Sequence, residues 1–239
     1  FRARKVPDPP VSREDQRRGQ ARDNPAMKTV LALLGVTFLA SLAAAQAPPP
    51  RPAADPVPTA LLVIDIQNFY FPGGRMALAD PLPASLQAKR LLERFRAKGW
   101  PVVHVQHLPK GQAAPLPDTG DEAYRIHANV LPVAGETVVG KHHANAFRDT
   151  DLLAVLRRIG AKRLLIAGMQ THMCVEAATR AAADLGFEVV VVHDACATRT
   201  LKFGDVAVPA APGHAAALAA MDGSYARVVS TDQLLAELE

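Results

Sequence analysis

Cysteine is scarce in this chain: of 239 residues, only Cys174 and Cys196 carry a thiol. Two cysteines cannot build the dense cross-linked framework with which small secreted domains replace a core. The sequence has no C-x-x-C pair, no H-E-x-x-H helix, no G-x-G-x-x-G turn and no phosphate-binding P-loop. No zinc or nucleotide motif is therefore encoded in its usual form, and no cofactor is expected. No segment recurs at a fixed period, which excludes a solenoid. Aromatic residues make up 5% of the chain, with a single Trp, so a core must be built mainly from aliphatic side chains.

Charge of one sign is also missing from most of the chain. The net charge is +4, yet residues 1–26 hold seven Lys/Arg against four Asp/Glu and Lys28 adds one more positive charge. Residues 29–239 are thus neutral in sum. The basic character belongs to the N-terminal end and gives no footprint for nucleic acid.

A long apolar run is absent as well. Thr29 to Leu42 is uncharged and apolar, but too short for a comfortable membrane span. Preceded by Met27-Lys28 and followed by Ala43-Ala44-Ala45, it reads as a signal peptide over 27–45, cleaved after Ala45. Export to the periplasm or beyond is expected, with no membrane segment in the mature form. Residues 1–26 read as a disordered arm or as a stretch upstream of the true start. Residues 46–58 form a Pro/Ala-rich linker, and 59–239 form one domain, long enough for a proper core.

Within that domain the pattern alternates. Ala60-Leu61-Leu62-Val63-Ile64 is a near-continuous apolar strand ending at Asp65, of the kind covered on both faces in a parallel sheet. Phe71 to Gly74 reads as a loop. Pro83 to Lys98 reads as a helix with Leu86, Leu91, Leu92 and Phe95 inward and Gly99 closing it. Further strands are expected at Pro101–Gln106, Thr137–Gly140, Arg163–Ala167, Phe187–Val192 and Ala226–Val229. Lys110 to Gly120 reads as a loop or lid. Helices are expected from a cap at Asp149 or Thr150 to Ile159, from Val175 to Leu185, from His214 to Met221, and after Ser230 or Thr231. Strands alternating with helices imply βαβ units and a doubly wound, parallel α/β sheet. In such sheets the ligand crevice lies at the carboxyl ends of the strands. Asp65, Lys141 and Cys174 each stand at such an end.

Cys174 falls at a strand-to-helix turn, near the first turn of the helix it opens. Partial positive charge there favours a thiolate, the nucleophilic form. Taken singly, Cys174 also reads as a small buried hydrophobe, Asp65 as a strand-end carboxylate, and Lys141 as a solvated side chain.

Four segments together resemble the isochorismatase-like cysteine hydrolases, which include nicotinamidases and N-carbamoyl-amide hydrolases. They are Leu61 to Asn68, Val139-Gly140-Lys141 with Ala146-Phe147, Ala167 to Val175, and Val192 to Thr198. The resemblance implies a three-layer α/β/α fold with a mainly parallel sheet of about six strands. It implies a catalytic triad of Asp65, Lys141 and Cys174. It also implies a cis peptide between Met169 and Gln170, with an oxyanion held by backbone N–H groups of Cys174 and of Gln170 or its neighbour. Gln67, Phe69, Phe71, His107 and Thr171 are the candidate substrate-binding residues; for the two phenylalanines core packing is the competing role. A homo-oligomer, dimer or tetramer, is expected.

The metal-binding Asp-x-His of nicotinamidases is missing, since that place reads Gln106-His107-Leu108. His104 and His107 lie three apart, so a strand points them to opposite faces. The expected activity is metal-independent cleavage of a small carboxamide or carbamoyl compound. Vinyl ether hydrolysis, which does not need a thiol, and a non-catalytic or redox envelope module are the alternatives.

Overall fold

The structure, a computed structural model, describes residues 57–109, 111 and 121–239. The expected signal peptide, most of the linker and nearly all of the 110–120 loop lie outside the described residues. Six strands form one sheet: β1 (Thr59–Ile64), β2 (Val102–His107), β3 (Thr137–Lys141), β4 (Arg163–Met169), β5 (Glu188–Ala197) and β8 (Arg227–Val229). Their order is β3-β2-β1-β4-β5-β8 and every pairing is parallel. β1 and β4 lie at the centre, so both are buried on both faces, which explains their unbroken apolar sequences.

Alternation along β1 divides the core in two. Ala60, Leu62 and Ile64 face a cluster closed by α2 (Leu152–Arg158), α3 (Glu176–Asp184) and α4 (Ala210–Met221). Leu61 and Val63 face the opposite cluster, closed by α1 (Pro81–Lys98) and α5 (Thr231–Glu237). The result is the expected three-layer α/β/α fold. Each fully buried Leu or Phe contributes roughly 2 kcal/mol of transfer free energy. The core draws on many of them, Leu61, Leu62, Ile64, Leu91, Leu92 and Phe95 among them.

Several boundaries differ from the expectation. α1 begins at Pro81, not Pro83, because both prolines fit a first turn whose N–H groups need no partner. Its buried stripe is Ala84, Ala88, Leu91, Leu92 and Phe95, and Leu86, at 46% exposure, lies outside it. Leu86 stands about 200° around the helix from Ala84 and so cannot share that face. α4 starts four residues before His214, and β5 runs on from Val192 to Ala197. An antiparallel hairpin, β6 (Leu201–Phe203) and β7 (Val206–Val208), was not expected. Its strands are three residues each, too short to show a period. Among the described residues no helix is long and apolar enough to cross a membrane.

Candidate active site

The carboxyl ends of β1, β3 and β4 converge. β1 stops at Ile64, and Asp65 turns out of the strand at φ +50°, a left-handed conformation that Asp tolerates better than most residues. Its N–H still reaches the Val105 carbonyl at 2.9 Å, which anchors the turn to β2. β3 ends on Lys141 itself. β4 ends at Met169, and the Met169–Gln170 peptide is cis.

The segment after β4 is not the α-helical first turn read from the sequence. Thr171–Val175 is a single π-helical turn, and α3 begins only at Glu176. The Val175 and Glu176 N–H groups reach back five residues, to the carbonyls of Gln170 and Thr171. Such turns inside helices are frequent at functional sites. Two side-chain contacts pin this one: Thr171 Oγ1 lies 2.9 Å from His214 Nδ1 on α4, and the His172 ring meets the Thr198 hydroxyl.

Asp65, Lys141 and Cys174 are all buried and in contact. Lys141 Nζ stands 2.6 Å from Asp65 Oδ2 and donates to Cys174 Sγ at 3.3 Å. It also donates to the His143 carbonyl at 3.1 Å and contacts His107 Nδ1 at 3.3 Å. Burial works against the charge on Lys141, but Asp65 and then Cys174 outweigh it and hold its pKa above the ordinary value. Burial and the Asp65 charge push the Cys174 thiol up to about 12, against the pull of Lys141. A deep position beside a carboxylate thus works against the field of the turn. Cys196 is also free and buried, and burial pushes it up to about 12.

One glycine is required here. Gly168 has φ +147°, and a Cβ on it would sit 2.1 Å from the Ile64 carbonyl oxygen. The penultimate residue of β4 thus touches the backbone immediately before Asp65, and only glycine permits that approach.

The five candidate substrate residues divide. Gln67 is fully buried and its amide is spent. Its Nε2 donates to the His107 and Tyr124 carbonyls at 2.9 and 2.7 Å, and its Oε1 accepts from the His107 N–H at 2.8 Å. It ties the ends of β1 and β2 together. Thr171 is buried too, with its hydroxyl engaged by His214. His107 holds Lys141, and burial, only partly offset by Asp65, keeps its pKa low. The neutral ring then accepts from the ammonium. Phe69 and Phe71 line a cavity of about 930 Å³, with Ile126, His127 and Leu131, that none of the three reactive residues borders. Phe71 stacks on His127 at 3.6 Å. His104 points away from His107 and contacts Glu136 at 2.8 Å, as strand alternation requires. Among the described residues no three His, Cys, Asp or Glu side chains come together to hold a metal.

Two residues of the site escaped the sequence reading. Tyr70, between the two phenylalanines, is buried, and its hydroxyl accepts from Gln170 Nε2 at 3.3 Å. Burial and the charges of Asp65 and Cys174 hold its pKa well above the ordinary value. Arg199, exposed just past β5, donates from Nε to Gln170 Oε1 at 3.2 Å. The signal for Arg199 was a cation one residue beyond the fourth motif. Tyr70 left none, because residues 68–70 form a 3-10 turn whose successive side chains point about 120° apart.

Comparison with known proteins identifies the family and agrees with the fold. A family model described as "Isochorismatase domain" matches residues 59–233. The isochorismatase-family protein YddQ of Bacillus subtilis is 48% identical over 177 residues, covering 74% of this chain and 98% of YddQ. Maleamate amidohydrolase of Pseudomonas putida is 30% identical, covering 75% of this chain and 86% of that enzyme. A crystal structure from Oleispira antarctica, assigned as an isochorismatase hydrolase, superposes with a TM-score of 0.70 at 48% identity, covering 74% of this chain and 96% of its own. With the six-stranded parallel sheet and the matched span nearly filling the described domain, the chain belongs to the isochorismatase family of hydrolases.

Proposed function

We propose that the protein is a cysteine amidohydrolase that cleaves the C–N bond of a small carboxamide or carbamoyl compound. The observation that carries this reading is the buried contact of one thiol, one ammonium and one carboxylate, at 3.3 and 2.6 Å. An un-ionised thiol needs a base at the moment of attack, and Asp65 is the base in place. Asp65 takes the thiol proton as sulfur bonds to the amide carbon. Backbone N–H groups of Cys174 and of Gln170 or its neighbour hold the oxyanion. Asp65 returns the proton to the leaving nitrogen as the C–N bond breaks, giving a thioester. Asp65 then draws a proton from water, which opens the thioester and frees the acid and the thiol.

The relationship to maleamate amidohydrolase supports C–N cleavage. Arg199 forms no ion pair among the described residues, so an amide that also carries a carboxylate suits this rim. Ammonia release from a panel of small amides, anionic members included, tests the reading. Turnover that Cys174→Ala abolishes supports it, and turnover that survives in that variant overturns it. Export through the leader beginning at Met27 and assembly as a dimer or tetramer belong to the same reading. N-terminal sequencing should find a start near Gln46, and light scattering should find two or four chains.

A further inference from the structure

We propose that Tyr70 contacts the substrate, its phenol donating a hydrogen bond to the carbonyl oxygen of the amide that Cys174 attacks. The inference rests on the amidohydrolase reading and adds a side-chain donor to the backbone N–H groups invoked there.

The argument is one of hydrogen-bond direction. A guanidinium can only donate. Arg199 Nε faces the Gln170 amide at 3.2 Å, so the atom it meets must be the oxygen, Oε1. The Gln170 nitrogen is thereby turned toward Tyr70, 3.3 Å away. An amide NH₂ can only donate, so the Tyr70 oxygen is the acceptor. Its own proton must go elsewhere, and among the described residues no group accepts it. A buried hydroxyl with an unused proton is costly unless a partner arrives.

The position of the phenol says where that partner comes from. Tyr70 follows Asp65 by five residues on the turn that leaves β1, and Gln170 begins the turn that carries Cys174. The phenol is only 3% exposed. Its ring packs edge-on against Phe69 at 4.3 Å, and its backbone carbonyl takes the Leu78 N–H at 2.9 Å. Its hydroxyl lies 3.3 Å from the side chain of Gln170, the residue that opens the Cys174 turn, and the charges of Asp65 and Cys174 both raise its pKa. Because its pKa is raised, the phenol stays a donor across any working pH. Preorganised donors of this kind serve a developing oxyanion without rearrangement.

The test uses two alkylating agents with the same leaving group. In each reaction Asp65 takes the thiol proton, sulfur bonds to carbon and iodide departs. Iodoacetamide carries an amide carbonyl for Tyr70 to hold, and iodomethane carries none. Peptide mass spectrometry follows the label at Cys174 separately from Cys196. Tyr70→Phe removes the donor. Gln170→Glu leaves the phenol in place but offers it an acceptor, which diverts its proton from the site. Each change should lower the ratio of iodoacetamide to iodomethane rate constants about fivefold, the scale of one neutral hydrogen bond. The double variant should fall no further. Reporting the ratio cancels changes in thiol basicity. An unchanged ratio in either variant, or a double variant that falls by the product of the singles, overturns the proposal. Failure of the amidohydrolase reading shows separately, as a wild-type protein that turns over no amide.

Discussion

Among the described residues, two clusters that bury a carboxylate against a cation are built to opposite standards. Beside β2 and β3, Glu136 is saturated. Arg96 grips it with Nε and Nη2 at 2.7 and 2.8 Å, His104 Nε2 lies at 2.8 Å, and the Val133 N–H donates at 3.1 Å. Burial alone would raise the pKa of this carboxyl, but Arg96, Val133 and His104 bring it down to about 2. Asp65 has one ammonium and one thiol. Every acceptor position filled around Glu136 removes its basicity and fixes a structure. The mechanism proposed above asks Asp65, with fewer donors around it, to take a proton. On that reading the same ingredients give a strut in one place and a base in the other.

The sharpest way to break the comparison is at the base. Asp65→Asn and Cys174→Ala should each lower kcat/KM about a thousandfold or more, the upper range for loss of a general base or nucleophile. Thermal unfolding should show that Cys174→Ala remains folded, since it deletes one sulfur at a turn. Activity retained by either variant would put Asp65 on the same footing as Glu136.

Gly168→Ala comes next. It forces a methyl group against the Ile64 carbonyl in a backbone conformation that alanine disfavours. A stability loss of roughly 3 kcal/mol is expected, together with lost turnover because Asp65 follows Ile64 directly. Denaturant midpoints and steady-state rates measured together check it, and a stable, fully active variant would refute the close approach.

Glu136→Gln should do the reverse of Asp65→Asn. Loss of about 2 kcal/mol of stability with kcat unchanged is expected. A fall in kcat greater than the loss of folded protein would show that the strut reaches the chemistry.

The smallest effect is in acid. Glu136 ionises at a lower pH when folded than when unfolded, so its contribution to stability is present above the ordinary carboxylate range and fades as pH falls from about 4.5 toward 2. The wild-type denaturation midpoint should drop across that window, and Glu136→Gln should flatten the drop.

The central strands were legible because β1 and β4 are buried on both faces and so carry unbroken aliphatic runs. Asp65 and Lys141 were legible because each stands where a strand stops, and Cys174 because it falls in the turn that follows one, in an order shared with a known family. Other features depended on directions that sequence does not encode. Gln67 and His107 lie in or beside the right motifs, but whether each faces the crevice or a neighbour is set by hydrogen bonds with the Tyr124 carbonyl and with Lys141, 57 and 34 residues away. The π-helical turn adds one residue to a turn that periodicity reads as α-helical. The upward push on the thiol comes from burial and from Asp65, 109 residues away in sequence.

In the mechanism proposed above, the position of Lys141 between Asp65 and Cys174 has a consequence for how charge is handled during turnover. Before attack the carboxylate is the anion and the sulfur is neutral. After the proton crosses, the sulfur is the anion and the carboxyl is neutral. The ammonium touches both, so the sum over the three groups is zero in either condition. The proton transfer moves a negative charge from one side of a fixed cation to the other. No net charge enters or leaves the interior of the protein, and the solvation cost that would attend such a change does not arise. A lysine placed against only one of the two would stabilise one condition at the expense of the other and slow the exchange in one direction.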